Sequence, residues 1–248
     1  MAEHQENGLN GNPESLAADS DVAYSGEATL GRSFYCRYVK RAIDLVISWL
    51  ALIACLPVLL VASLLLVLET PGSPIFTQRR VGRRGQPFPI FKLRTMHDGA
   101  DEKDFRTRTL DTRITRLGKF LRQTKIDEIP QLWNVIRGDM SLIGPRPLSA
   151  DECSYIADSL GYSPGYPGFH PNVLPGLTGL EQIYRIHPSV YFQRFSWNAE
   201  YEKHISPALD LKIFVTTLIQ YKPVCAATVI GGIFEIAWLV KLLLVHLK

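Results

Sequence analysis

From Lys125 to Pro147 the chain reads K-I-D-E-I-P-Q-L-W-N-V-I-R-G-D-M-S-L-I-G-P-R-P, setting two adjacent carboxylates, Asp127 and Glu128, in a neighbourhood dominated by arginine. Acids so placed can hold a cation or attack an electrophile, while the bases hold an anion, and the natural target of such a group is a phosphate. Pro130 marks a fresh helix start, since proline is tolerated in a first helical turn. The two acids therefore fall just before or at a helix N-terminus, where amide N–H groups favour ionised carboxylates. A pair of N-capping acids is the plainer alternative.

The elements that must carry this group are unevenly charged. Residues 1–30 hold six acids and no Lys or Arg, whereas residues 71–150 hold sixteen Lys and Arg against eight Asp and Glu, a net of +8. A basic block of that size attracts nucleotides, lipid phosphates or nucleic acid, unless it is merely a solvated face. Few aromatics are interleaved and no nucleic-acid module is present, so nucleic acid is not an expected partner. The four cysteines are scattered and no histidine pair has zinc spacing, which points to free thiols and, for any metal, a hard cation held by oxygen. There is no phosphate-loop glycine signature, no dinucleotide fingerprint and no nucleophile-elbow serine. The Asp19-Ser20-Asp21 triplet lies in an acidic, low-hydrophobicity tail that reads as disordered, and it is set aside as chance.

Between Leu45 and Leu68 lie 24 residues without a charge, enough to span a bilayer core as a helix. Arg32, Arg37, Lys40 and Arg41 precede this run, and Arg79, Arg80, Arg83 and Arg84 follow it, so both ends favour the cytoplasm. Pro57 near the middle favours a kink or break. A helix that enters, bends at Pro57 and returns fits all three features better than a straight span. Strand-like pieces are expected at Ile75–Thr77 and Pro89–Phe91, a basic amphipathic helix over 111–125, an extended loop over 160–180, and mostly helix from Pro188 to Gln220. The apolar stretch Val224–Leu247 is open between an interfacial, a spanning and a buried helix.

These segments, taken in order, resemble the bacterial sugar transferases that act as small monotopic polyprenyl-phosphate phosphoglycosyl transferases. The resemblance is carried by K-R-A-I-D-L at 40–45, G-S-P-I-F-T-Q-R-R-V-G at 72–82, F-K-L-R-T-M at 91–96, the block at 127–147, P-G-L-T-G at 175–179 and L-D-L-K-I at 209–213. It implies an α+β, mostly helical fold: a membrane-embedded re-entrant helix with a small cytoplasmic catalytic domain at the bacterial inner membrane. The expected divisions are an acidic tail (1–31), the re-entrant helix (32–70), the catalytic domain (71–222) and an apolar C-terminal segment (223–248).

The implied reaction moves a sugar-1-phosphate from a nucleoside diphosphate sugar, with a UDP-sugar as expected donor, to undecaprenyl phosphate. By resemblance Asp127 is the nucleophile, and Glu128, with Asp127, holds Mg²⁺. Lys92 and Arg146 match positions associated with substrate phosphates, Arg79 and Arg94 are further anion contacts, and Asp210 and Arg185 are other functional residues. Membrane lipid is an expected partner, and the sequence leaves homo-oligomerisation open. After P-G-L-T-G the chain reads L-E-Q-I-Y-R-I-H-P where the family's usual pattern has a Trp and an N-G-R-like triplet, which leaves the sugar undetermined. A non-catalytic membrane scaffold and a hydrolase that resolves the adduct with water are the competing readings.

Overall fold

The computed structural model describes residues 34–97, 111–161, 171–184 and 191–220. The acidic tail, Arg185 and the segment from 221 onward lie outside the described residues. What is described is a mixed, mostly helical fold.

A five-residue π-helical turn, Tyr35–Val39, leads into helix α1, Lys40–Glu69, whose 30 residues extend for about 45 Å at 1.5 Å per residue. Pro57 lies inside α1 without ending it, so the break allowed by the sequence does not occur. Strands β1 (Ile75–Val81) and β2 (Pro87–Leu93) pair antiparallel over seven residues each, longer than the three-residue pieces expected. Helix α2 covers Arg116–Thr124, within the expected span, and starts at Thr115, whose hydroxyl accepts from Gly118 N. A 3₁₀ turn, Ile126–Glu128, precedes helix α3, Gln131–Arg137. Then follow β3 (Ser141–Ile143), β4 (Leu148–Ser149) and α4 (Ala150–Leu160). The chain continues with β5 (Gly176–Thr178), α5 (Leu180–Ile183), α6 (Tyr191–His204) and α7 (Pro207–Gln220). β4 extends the hairpin into a β2-β1-β4 sheet, and β3 and β5 form a separate parallel pair.

β5 was expected as loop. Backbone proximity rather than strand propensity makes it a strand: a Cβ at Gly176 would meet the Gly144 backbone, and one at Gly179 would meet the Gly144 carbonyl. Only glycines permit that approach.

The main core joins β2, α3, β3, α5, α6 and α7 through Phe88, Ile90, Val135, Ile143, Ile183, Tyr201 and Ile213, with Ile47, Ala51 and Leu52 of α1 packed against it. A second cluster joins Ala62 and Leu66 of α1 to Leu93, Leu121 and Ile126. α1 is therefore held along its length by the rest of the fold. Arg41 donates to the carbonyls of Val135 and Ile136, capping the end of α3 at 2.6 and 2.9 Å. Asp44 accepts from Leu142 N at 3.1 Å. At the other end Glu69 accepts from Leu117 N, and Arg94 donates to the carbonyls of Thr70 and Pro71. The opposite face of α1 is open and apolar: Val46, Leu50, Ile53, Leu60, Leu64 and Val67 are exposed at helical spacing. By length and composition this is the one described helix able to cross a membrane.

Candidate active site

The two carboxylates sit on a turn shaped by Lys125, whose φ of 60° places a non-glycine residue in the left-handed region between α2 and the 3₁₀ turn. Ile126, buried against α1 and β2, anchors that turn, and Pro130 opens α3 directly after it. Asn134 of α3 then acts as a substitute strand. Its Oδ1 accepts from Phe91 N at 3.0 Å and its Nδ2 donates to Pro89 O at 2.6 Å, tying α3 to the edge of β2 at the residue before Lys92.

Arg146 arrives by another route. Its loop is pinned to the β5 segment on both sides: Gly144 N donates to Thr178 O at 2.9 Å, and Gly176 N donates to Pro145 O at 2.8 Å. Glu128 Oε1 consequently faces three cations, Lys92 Nζ at 3.5 Å, Arg146 Nη2 at 3.7 Å and Lys125 Nζ at 3.9 Å.

The adjacent carboxyls are electrostatically unlike. Burial alone would raise Glu128, but Lys92, Arg146 and Lys125 together hold it down, to about 2. Asp127 is pushed up to about 6, first by burial and then by the charge of Glu128. It is buried, and its Oδ1 has no hydrogen-bond partner. Burial also lowers the Lys92 ammonium to about 8. The result is a fixed anion inside a cationic ring beside a basic, under-solvated carboxylate. Here the cations can neutralise an incoming phosphate and the unpartnered Asp127 carboxylate can attack it.

Arg80 was not singled out from the sequence as a site residue, yet it joins this group. In the β1–β2 register it lies opposite Phe88, and Phe76 lies opposite Lys92, so Arg80 and Lys92 share one face of the sheet. Its Nη1 donates to Pro147 O at 3.3 Å, and its Nε is buried without a partner. Burial, reinforced by the like charge of Arg146, lowers it to about 10. Strand alternation was the signal that could have found it: Arg79, the residue chosen instead, is exposed on the opposite face.

The remaining candidates are not gathered here. Arg94 is buried at the end of α1, bonded to Thr70 and Pro71. Asp210 is buried and accepts from Tyr35 Oη, Lys40 Nζ and Tyr201 Oη, each at 2.7 Å, which clamps α6 and α7 to the start of α1 and the turn before it. Among the described residues no cluster of three or more His, Cys, Asp or Glu side chains is arranged to hold a metal ion.

The chain is also similar to a described family and to several curated proteins. The family described as "Bacterial sugar transferase" matches residues 35–222. A UDP-glucose:undecaprenyl-phosphate glucose-1-phosphate transferase of Caulobacter vibrioides is 41% identical over 186 residues, covering 72% of this chain and 68% of that protein. An undecaprenyl-phosphate galactose phosphotransferase of Salmonella typhimurium is 34% identical over 73% of this chain, which spans only 40% of that longer protein. The exopolysaccharide production protein ExoY of Sinorhizobium fredii is 36% identical over 72% of this chain and 83% of its own length.

Proposed function

We propose a reaction on one premise: the chain belongs to the bacterial sugar transferase family. It is a transferase that passes a sugar-1-phosphate to undecaprenyl phosphate, the acceptor named for its relatives, and so serves the assembly of lipid-linked glycans such as exopolysaccharide. The donor is a nucleoside diphosphate sugar, with a UDP-sugar as the first candidate. A carboxylate oxygen of Asp127 attacks the β-phosphorus. The phosphoanhydride bond breaks and the nucleoside monophosphate leaves with the electron pair. An oxygen of undecaprenyl phosphate then attacks the same phosphorus, the acyl-phosphate bond breaks, and the Asp127 carboxylate is restored as the lipid-linked diphosphate sugar forms.

One observation carries this reading. Of two adjacent carboxyls, half-buried Glu128 is locked among Lys92, Arg146 and Lys125, and buried Asp127 keeps an unpartnered oxygen and a pKa raised to about 6. A carboxylate that is ionised at neutral pH yet more basic than usual is a better nucleophile than one solvated by water. The cations meet the charge of the diphosphate, for which a scaffold would have no use. Arg80 and Arg146 suit the phosphates of donor and acceptor.

Mg²⁺ fits the residues present. Asp127 and Glu128 offer hard oxygen donors, and this ion is commonly held by one or two carboxylates with substrate phosphates completing its shell. When bound, it supplies charge neutralisation at the diphosphate.

The membrane arrangement belongs to the same reading: the body sits on the cytoplasmic face of the inner membrane, and α1 embeds with both ends on that side. Support comes from the contacts of both ends of α1 with one body, the cations flanking it, and its unbroken apolar outer face. Trp133 of α3, exposed and edge-on to Trp49 at 6.4 Å, suits the interfacial level.

The test is release of nucleoside monophosphate from a panel of UDP-sugars by nanodisc-held protein with Mg²⁺ and undecaprenyl phosphate. Asp127→Asn should abolish release while leaving membrane association intact, and turnover retained in that variant would remove Asp127 as nucleophile.

A further inference from the structure

Beside the phosphate-facing cations lies a second polar group that the reaction as described does not use. α5 begins directly after β5, and its Glu181 is 6% exposed. Glu181 Oε1 lies 3.0 Å from Arg194 Nε, while its Oε2 is buried with no hydrogen-bond partner. The next residue, Gln182, has both amide atoms buried and unpartnered. Gly179, where a Cβ would meet the Gly144 carbonyl and lie 3.3 Å from Gln182 Oε1, places this amide beside the loop that carries Arg146. Behind the group, Arg194 bridges Glu181 to Glu152 at 2.8 Å, and Glu152 approaches Arg80 at 4.0 Å. The orientation of Glu181 is thus fixed from the rear, and the charged chain runs on to the phosphate-facing arginines.

Three buried polar atoms without partners within two adjacent residues are an unusual density, because native proteins pair nearly all such atoms. Their chemistry also sorts the ligand. A carboxylate oxygen repels phosphate, so the phosphates belong with Arg80, Arg146 and Lys92. What a carboxylate acceptor and an amide donor–acceptor can serve together is a neutral, hydroxyl-rich group. We propose that Glu181 Oε2 and the Gln182 amide form the subsite that recognises the hydroxyls of the donor sugar, making Gln182 a determinant of which sugar is transferred. This rests on the transferase reading given above and specifies where its selectivity resides.

The test compares wild type, Gln182→Leu and Gln182→Glu, as full chains in nanodiscs. kcat/KM is measured for UDP-glucose, UDP-galactose, UDP-N-acetylglucosamine and UDP-N-acetylgalactosamine, with UDP as a sugarless competitor. Sites built to hydrogen-bond a substrate hydroxyl discriminate steeply. Gln182→Leu should compress the ratio between the best and second-best donors by about tenfold or more, with inhibition by UDP unchanged. It should also melt no lower than wild type, since an unpartnered buried amide is replaced by an apolar isostere. Gln182→Glu should alter the donor ratio while keeping the side chain's size. An equal fall for all four donors, or an unchanged ratio in both variants, overturns the proposal.

A binding arm separates it from the reaction. If the four UDP-sugars bind wild type no more tightly than UDP, the subsite is refuted whether or not turnover occurs. Tighter binding that Gln182→Leu removes, without monophosphate release from any donor, upholds the subsite and refutes the transferase chemistry.

Discussion

Replacing Lys92 by Arg is the sharpest probe of how charge is arranged around the carboxylates. The lysine is half-buried and lowered to about 8, so its ammonium, paired with Glu128 at 3.5 Å, is lost as pH rises through 8. The protonated fraction falls from about three quarters at pH 7.5 to about a tenth at pH 9, so a rate needing the ammonium drops about eightfold over that interval. An arginine keeps its charge across the range. Adduct formation should be followed by intact-protein mass spectrometry with donor alone, which keeps the acceptor's own phosphate ionisation out of the profile. The wild-type second-order rate constant for adduct formation should rise through pH 6 as Asp127 ionises, because a raised acid pKa makes the reactive anion available only above it. It should then fall above pH 8. Lys92→Arg should keep the acid limb and lose the alkaline one up to about pH 9, above which Arg80, lowered to about 10, begins to titrate. Whatever rate the variant loses overall, the comparison is of each protein with itself across pH. An alkaline limb at the same position in the variant, or a flat wild-type profile from pH 7 to 9.5, would refute the reasoning.

Three further outcomes are expected. Asp210→Asn leaves half-buried Lys40 without its counter-charge, a loss of about 3 kcal/mol, and should lower the detergent-solubilised melting temperature by about 6–12 °C; a change below about 1 °C would mean the clamp contributes little. Leu50→Asp with Ile53→Asp, on the open face of α1, should release folded protein from liposomes in flotation assays, since each charge costs about 3 kcal/mol in a bilayer core; unchanged flotation would mean that face is not in lipid. Chelation by EDTA should stop nucleotide release and added Mg²⁺ restore it, without a shift in far-UV circular dichroism; activity surviving exhaustive chelation would remove the metal from the reaction.

Much of the architecture was readable from local pattern, and what was missed has a common cause. The hairpin, α2 and the two C-terminal helices follow from turn residues and apolar spacing, and the long apolar helix follows from composition alone. The grouping of Asp127, Glu128, Lys92 and Arg146 was suggested by residue types and family resemblance, and the structure brings all four to one place. β3 and β5 were not legible. Three residues each, set among Gly and Pro, they pair because Gly144, Gly176 and Gly179 let two backbones meet. The contacts of Asp210 were equally hidden, since Tyr35 lies 175 positions away. Arg80 was within reach: alternation along β1 distinguishes it from Arg79 once β1 is paired with β2. The orphaned atoms of Glu181 and Gln182 depend on burial, which no sequence pattern reports.

The stitching of α1 to the catalytic body also dictates a timetable for biosynthesis. Tyr35, Arg41 and Asp44 leave the ribosome long before their partners, 94 residues ahead for Arg41 and Val135, 98 for Asp44 and Leu142, and 175 for Tyr35 and Asp210. At 5–20 residues per second, about 10–35 s separates Tyr35 from Asp210. For that interval the nascent helix carries unneutralised cations at its leading end and a bare apolar flank behind them. A membrane surface accommodates both at once, so under the membrane arrangement proposed above the lipid would shelter this helix before the rest of the chain exists to hold it.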